Sequence, residues 1–480
     1  MDQSRRSFIQ QTSVAALVSA LPLSTHAAQN QNPNIIWITG EDVCPDIGCY
    51  GNSLVHTPNI DNFAKQGVRF TNAFTTSPVC SASRSAFMTG MYQTSIGAHH
   101  HRSHRDDGYQ LPGDVRLITD YFREAGYYTA NVTQIAPGVK GTGKTDFDFN
   151  VKNPFDGNDW NLRDDGQPFF AHINLSEAHR EFVADLEHPI DPEQVEIPPY
   201  YPDHPITRKD WALYLETVNH LDRKVGAVLK RLDDEGLSDN TIVFFFGDHG
   251  RCHVRGKQWL YDGGIHIPLI VRWPGKLPAG EVRDPLVSAI DLAPTALRLA
   301  GAPVPENMQG QLFLGENTHQ RDYIVSARDR CDETMDRIRC IRTKDFKYIR
   351  NFMPERPYLQ INRYKEASYP VLRLMRRLHK EGKLTPAQQH FMALQRPQEE
   401  LYDLRHDPHE IHNLADSPAH QEVLQRMRVR LERWIDVTRD LGEVPEAPAI
   451  TKKYEAQMMK IYDKRLTKLY DEEGMGSLPW

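Results

Sequence analysis

Short apolar runs along the chain predict buried strands, and longer amphipathic stretches between them predict helices. Each run is apolar at consecutive positions, as is typical of a strand covered on both faces. Apolar residues at a period of about 3.6 between Trp211 and Leu232 predict a helix, and Thr57 with Pro58 marks the start of another. Such alternation predicts a mostly parallel sheet sandwiched between helices, an α/β fold. The predicted strands are residues 34–39, 169–174, 241–246 and 268–273.

The pattern changes near residue 325. Residues 339–343 and 346–350, separated by Lys344 and Asp345, predict an antiparallel hairpin. Basic stretches at 371–380, 386–394 and 419–439 predict helices, and the polar, proline-containing last forty residues predict a surface arm. The predicted organisation is an N-terminal segment (1–28), a large α/β domain (29–325), a smaller α+β subdomain (326–440) and a C-terminal arm (441–480).

The first 28 residues contain the three parts of an export signal in their usual order. Arg5 and Arg6 form a twin-arginine pair, residues 14–23 are apolar, and Ala27 and Ala28 offer small side chains at a cleavage site. An amphipathic start to the first domain is the alternative. The signal predicts a periplasmic or secreted protein that is carried folded by the twin-arginine machinery, with any cofactor installed before export.

Composition narrows the class of protein. The 480 residues are 39% hydrophobic and 25% charged, a composition typical of a globular protein. The net charge of −7 argues against nucleic-acid binding. No stretch after residue 30 is apolar for long enough to span a membrane. Six cysteines are too few for a disulfide scaffold. A disulfide between Cys44 and Cys49, or between Cys331 and Cys340, is compatible with the sequence.

Polar clusters follow three of the predicted strands. Glu41 and Asp42 follow the first, Asp248 and His249 follow the third, and Glu177-Ala178-His179-Arg180 follows the second. Ligands collect where parallel strands end, so one site is expected at this edge. The carboxylates predict a divalent cation held by oxygen ligands. His249 is either a fourth ligand or a hydrogen-bonded residue behind the ligands.

Cys80 opens a predicted helix, with Arg84 four residues later on the same face. A helix N-terminus attracts anions and lowers the pKa of a thiol, and arginine binds tetrahedral oxyanions. The residues alone therefore allow a thiolate nucleophile acting on an anionic substrate.

The motif Cys80-x-Ala82-x-Arg84 followed by Thr89-Gly90 resembles the signature of the type I sulfatases, whose cysteine is oxidised to Cα-formylglycine. The resemblance extends over nearly all of the chain after the signal and is closest to the heparan N-sulfatase-like group, which includes many bacterial polysaccharide sulfatases. It implies an alkaline-phosphatase-like fold. Further matching segments are residues 37–42, 56–61, 247–250, 256–257, 260–262, 268–271, 400–404 and 407–408.

The resemblance also implies residue roles. Cys80 becomes the formylglycine nucleophile, made by a formylglycine-generating enzyme, and Arg84 stabilises its hydrated form and a sulfate oxygen. Lys144 and Lys257 bind sulfate, and His179 protonates the leaving oxygen. The cation is calcium, with magnesium as the alternative. Its implied ligands are Glu41, Asp42, Cys80, Asp248 and His249.

Three positions depart from the common family pattern. Glu41 replaces an aspartate, and His249 stands where many relatives have asparagine. Asp146 replaces the histidine that usually contacts the hydrated aldehyde. Asp146 is either a base for sulfate elimination or a residue that points elsewhere.

A histidine- and arginine-rich segment follows the nucleophile helix. Within residues 97–105, His100, His101 and Arg102 are candidates to bind further anionic groups of a sugar chain, as are Asp146 and Arg180. A polar surface loop and a transition-metal site are the alternatives for this segment.

The predicted activity is hydrolysis of sulfate esters on a sulfated poly- or oligosaccharide, such as carrageenan, ulvan or a glycosaminoglycan. The alternatives are N-sulfoglucosamine sulfohydrolysis, hydrolysis of phosphodiesters or phosphonate monoesters, and non-catalytic binding of sulfated glycans. Phosphoryl and sulfuryl transfer need similar positive groups, so the sequence separates them poorly.

Overall fold

The computed structural model describes residues 32–104 and 107–475. The chain divides after Asn32, and the unit from Pro33 onward contains all of the described helices and strands. The predicted export signal therefore lies outside the described residues. The predicted boundaries at residues 325 and 440 remain predictions.

The first sheet has seven strands in the order β3-β6-β1-β7-β8-β2-β9. The neighbours β3, β6, β1 and β7 are parallel, and β8 runs antiparallel to β7 and β2. The predicted mostly parallel sheet is confirmed. Its strands are β1 (Asn34–Gly40), β2 (Val68–Phe74), β3 (Tyr128–Asn131), β6 (Phe169–Leu175), β7 (Thr241–Gly247), β8 (His266–Arg272) and β9 (Glu281–Ser288).

Helices cover this sheet on both faces. Ile36 and Ile38 of β1 pack in the core beneath the long helix α4, while Ile35 and Trp37 pack in a second core on the opposite face. Successive side chains of a strand point to opposite faces, so two cores require a continuous apolar run. The helices of this part are α1 (Pro58–Lys65), α2 (Cys80–Thr89), α3 (Ile118–Glu124), α4 (Pro205–Asp234), α5 (Asp262–Ile265) and α6 (Leu292–Leu299).

The second sheet is antiparallel and contains the predicted hairpin as β11 and β12. Its strands are β10 (Ile324–Arg328), β11 (Ile338–Arg342), β12 (Phe346–Asn351) and β13 (Glu399–Asp403), and β4 (Gln134–Ala136) with β5 (Val139–Lys140) forms a separate pair. The helices are α7 (Arg363–Ser368), α8 (Pro370–Lys380), α9 (Pro386–His390), α10 (Gln421–Thr438) and α11 (Pro448–Glu472).

One prediction in this region was wrong. The predicted helix 386–394 ends at His390, because Phe391 leaves the helix and packs against Trp259. The predicted C-terminal arm contains the helix α11, in which Leu466 and Tyr470 lie one helical turn apart and are buried on one face. All six cysteines are free thiols, so neither considered disulfide is present.

Candidate active site

Three neighbouring strands end together at one edge of the first sheet. Gly40 of β1 is in register with Gly247 of β7 and Leu175 of β6. The residues after them therefore converge, as expected for strand ends in a parallel sheet. A Cβ atom at Gly247 would lie 2.7 Å from the carbonyl oxygen of Val43, so glycine lets the turn after β1 approach β7.

The converging side chains form two overlapping groups of ligand-type atoms. Asp42, Cys80 and His249 each bring one atom within 4.8 Å of the others, and Glu41, Cys80 and Asp248 do the same. All five residues are buried. Nδ1 of His249 donates to the Gly250 carbonyl at 2.9 Å, which leaves Nε2 facing the group. These hard oxygen donors and one imidazole nitrogen fit a divalent cation.

Cys80 is the first residue of α2 and lies in the middle of this group. Its Sγ is 3.1 Å from Nε2 of His249. Burial raises the pKa of the thiol, but the charges of Lys144, Lys257 and His249 together outweigh burial and lower the pKa to about 7. The helix is attached to the strand end because Ser83 Oγ donates to the Asp248 carbonyl at 2.6 Å.

Arg84 is fully buried one helical turn after Cys80. Its guanidinium donates to Asp248 at 3.0 Å and lies 3.5 Å from Glu41. It also donates to Oδ1 of Asn174 at 2.5 Å, at the end of β6. Asn174 was not predicted from the sequence, although its place in a strand that ends at the polar edge was an available signal.

Two lysines approach the carboxylates from different loops. Nζ of Lys257 lies 3.0 Å from each oxygen of Asp42. Burial opposes ionisation of Asp42, but Lys257 and His249 hold the pKa of this carboxyl well below its usual range. Nζ of Lys144 lies 2.8 Å from Glu41 and 3.5 Å from Asp146. Both predicted sulfate-binding lysines are therefore at the site.

His179, from the segment after β6, also lies close to Asp42. Its Nε2 is 3.8 Å from Asp42, and Nδ1 donates to the Arg180 carbonyl at 2.6 Å. The charge of Lys257, followed by burial, lowers the pKa of His179. His179 also lines a cavity of about 470 Å³ with Lys224. The contacts orient Nε2 towards the group at the strand ends.

Cys252 is a further residue at the site that was not predicted from the sequence. Its Sγ donates to Oδ2 of Asp42 at 2.5 Å, and the thiol is buried. It follows the cluster Asp248-His249 closely in sequence, but no local pattern distinguishes it from a core cysteine.

The histidine-rich segment contains one residue at an open surface of the site. The Arg102 side chain is 40% exposed, lies 3.8 Å from Asp146 and lines a cavity of about 600 Å³ with Lys144. His100 and His101 are instead buried, and His101 contacts Asp332 at 3.1 Å. The alternative of a polar surface loop is therefore wrong. Within the described residues, the only metal-type groups are those around Cys80.

Arg180 does not face the site, which corrects its prediction as a substrate-binding residue. Its guanidinium forms a two-point ion pair with Asp210, at 2.6 and 2.7 Å, and donates to the Cys252 and Ser368 carbonyls. The side chain is 4% exposed. These contacts use the planar donors of the guanidinium in the interior.

Family models match this architecture. The sulfatase model matches residues 33–160 and 155–302, and a model of the C-terminal part of N-sulphoglucosamine sulphohydrolase matches residues 247–366. The chain belongs to the sulfatase family, and it is a sulfuric ester hydrolase. This class excludes the non-catalytic alternative, and the family generally uses formylglycine and a divalent cation.

Individual relatives support the same class. An ulvan-active sulfatase of Formosa agariphila is 38% identical, over 88% of this chain and 78% of that protein. Human N-sulphoglucosamine sulphohydrolase is 25% identical, over 85% of this chain and 90% of that protein. The solved phosphonate monoester hydrolase of Agrobacterium radiobacter has a TM-score of 0.64 and 17% identity, over 85% of this chain and 96% of that one. The last likeness shows the fold alone. No described helix is long and apolar enough to cross a bilayer.

Proposed function

We propose that this protein removes sulfate from an ulvan-type polysaccharide, using formylglycine at position 80 and a bound calcium ion. The single observation that carries the proposal is the position of Cys80. It starts a helix, is buried, and lies among two lysines, one arginine and the cluster of carboxylates. This is the arrangement that an anionic ester and a modified cysteine require.

The proposed cation ligands are Glu41, Asp42, Asp248 and His249, together with residue 80. The convergence of their atoms and the orientation of His249 support this set. A bound calcium ion would supply Lewis-acid polarisation of the sulfate oxygens. Magnesium prefers stricter octahedral geometry and is the alternative.

Formylglycine at position 80 would supply a hydrated aldehyde, with one hydroxyl for attack at sulfur and a second that permits sulfate release. The surrounding residues bind and orient the ester. Lys144 and Lys257 bring positive charge to the sulfate, and Arg84 stays rigid through Asn174 and Asp248. Such preorganised charge costs no rearrangement during the reaction.

His179 is the proposed proton donor to the departing sugar oxygen. Its Nδ1 is fixed by the Arg180 carbonyl, so Nε2 is the atom that transfers the proton. Arg102 and Asp146, which line the cavity beside Lys144, are the proposed contacts to a further anionic group or hydroxyl of the glycan. A base role for Asp146 has no geometric support, since Asp146 lies against Lys144 and Arg102.

The relative at 38% identity favours ulvan over the other sulfated polysaccharides. N-sulfoglucosamine is a second candidate substrate, favoured by the match of residues 247–366 to the C-terminal model. We also propose that residues 1–28 direct twin-arginine export to the periplasm after maturation by a formylglycine-generating enzyme. Replacing Arg5 and Arg6 with lysine should retain the protein in the cytoplasmic fraction.

Free sulfate and phosphate should be measured with protein co-expressed with a formylglycine-generating enzyme. The panel contains oligosaccharides of ulvan, carrageenan and heparin, N-sulfoglucosamine, one phosphodiester and one aryl sulfate, with Cys80→Ala as the control. We expect sulfate release from ulvan oligosaccharides that the control lacks. Release from N-sulfoglucosamine alone would select the second candidate. Phosphate release alone, with position 80 converted, would contradict the proposal.

A further inference from the structure

The helix α7 brings an aromatic side chain from the C-terminal part of the chain close to the residues around Cys80. The Tyr364 ring centroid lies 6.4 Å from that of His179, and the two rings are tilted by 33°. The Tyr364 hydroxyl lies 3.8 Å from Sγ of Cys252, whose thiol contacts Asp42. Tyr364 therefore stands beside the proposed proton donor, although it is far from it in sequence.

The Tyr364 side chain has unused capacity to bind a ligand. The residue is partly exposed, whereas most residues around Cys80 are buried. Among the described residues, its hydroxyl makes one hydrogen bond, the long one to a sulfur atom, which is a weak acceptor. A hydroxyl can both donate and accept a full hydrogen bond, so this group is available to a sugar oxygen.

The structure holds Tyr364 rigidly from behind. Tyr369 packs edge-on at 5.8 Å, and Tyr462 of α11 lies at 6.2 Å. Arg363, the neighbouring residue, pairs with Asp463 of α11 at 2.8 Å. A rigid aromatic side chain binds with a small loss of conformational entropy. The helices α7 and α11 thus fix one side chain between them.

We propose that Tyr364 contacts the sugar that carries the sulfate group, with its ring against the carbon face of the pyranose and its hydroxyl on a ring substituent. This inference rests on the proposed function and deepens it, because it specifies a carbohydrate leaving group next to His179. A small aryl sulfate has no pyranose to meet this side chain. Tyr364 therefore discriminates between glycan and non-glycan sulfate esters.

The test compares two substrates in three variants of the matured full-length protein. Tyr364→Ala removes the ring, and Tyr364→Phe removes only the hydroxyl. Tyr323→Phe is the matched control, a partly buried tyrosine packed against the core beside the second sheet. Sulfate release is measured from ulvan oligosaccharides and from 4-nitrocatechol sulfate. We expect Tyr364→Ala to raise the KM for the oligosaccharides about 10-fold and Tyr364→Phe about 3-fold. Both should change kcat/KM for the aryl sulfate by less than about twofold.

Equal losses on both substrates would overturn the proposal, since they would assign Tyr364 a structural role. An unchanged KM for the oligosaccharides in Tyr364→Ala would also overturn it, while leaving the proposed function intact. Failure of the proposed function is distinguishable, because wild-type protein would then release no sulfate from the oligosaccharides. Calorimetric binding of the same oligosaccharides to Cys80→Ala, with and without Tyr364→Ala, tests the contact without turnover. Equal affinities there would contradict it.

Discussion

Sγ of Cys80 and Nε2 of His249 are 3.1 Å apart, although 169 positions separate them in the chain. The contact joins the start of α2 to the segment that follows β7, and it places the proposed nucleophile directly against a proposed cation ligand. In the proposed function, a sulfate ester held at these ligands would therefore lie beside residue 80.

Removing the Cys80 side chain should abolish activity, because the carboxylates, the two lysines and Arg84 all converge on this position. We expect Cys80→Ala to lower kcat for sulfate release by about four orders of magnitude or more. Cys49→Ala is the matched control, since this thiol is outside the site and burial raises its pKa to about 12. Mass spectrometry of the peptide 77–90 checks conversion of Cys80. Comparable loss in both variants would contradict the assignment.

Replacing one ligand of the proposed calcium ion should weaken the binding of that ion. Asp248→Asn keeps an oxygen for the backbone N–H groups of Asp42 and His249, at 3.0 and 2.9 Å, but removes a charge. We expect calcium affinity to fall about 100-fold, measured by calorimetry after chelation and dialysis. The exposed Asp239→Asn is the control. Unaltered affinity in Asp248→Asn would exclude Asp248 as a ligand.

We expect turnover to need the lysine side chain at position 257, and not merely a positive charge there. We expect Lys257→Ala to lower kcat/KM about 100- to 1000-fold, because the buried Asp42 loses its partner and sulfate loses a cation. Lys257→Arg should restore little, since the side chain is only 4% exposed and a planar guanidinium is larger than an ammonium group. Lys230→Ala, which removes a surface ion pair, serves as the comparison. Full activity of Lys257→Arg would show that charge alone matters.

Arg180 should affect stability and not substrate affinity. Breaking its buried pair with Asp210 leaves an unpaired charge, so Arg180→Ala should lower the free energy of unfolding by about 3 to 5 kcal/mol. The KM of the folded fraction for oligosaccharides should stay within about twofold of wild type. Denaturant unfolding and initial rates check the two parts. A large rise in KM with unchanged stability would restore the substrate-binding role.

Glu333 should make stability depend on pH near neutrality. Burial raises the pKa of its carboxyl from 4.5 to about 7. The folded state thus holds this proton more tightly than the unfolded state, and the stability it supplies is present below pH 4.5 and is lost as the pH rises through about 7. Glu333→Gln keeps an oxygen for the backbone N–H of Arg363. Its Tm should match wild type at pH 4.5 and exceed it at pH 8; parallel Tm curves for the two proteins would refute the shift.

Local patterns were sufficient for β1, β6, β7 and β8 of the first sheet and for the hairpin of β11 and β12, whereas β2, β3 and β9 were not predicted. The apolar run of β1 and the polar residues directly after it are both local, and strand ends in a parallel sheet necessarily meet. The helix start at Cys80 and the spacing to Arg84 are also local, so the motif could be assigned from the sequence.

The structure differed from the sequence predictions where a polar side chain could lie either at the site or in the interior. Arg180 is adjacent to His179 and carries the right charge, but packing turns its guanidinium towards Asp210. His100 and His101 look solvent-exposed by composition and are buried, because Arg330 and Asp332 from the second sheet region satisfy them. α11 buries only Met458, Leu466 and Tyr470, so its helical face is not recognised before its partner α7 is known.

The sequence by itself determined the alternation of strands and helices, the polar edge of the sheet and the position of Cys80 at the start of a helix, since each depends on residues near one another in the chain. Only the tertiary structure decided which charged side chains face the site, and it added Asn174, Cys252 and Tyr364 to its surroundings. Those contacts join residues that are distant in sequence, and their geometry is set by how the second sheet and its helices pack against the first part of the chain.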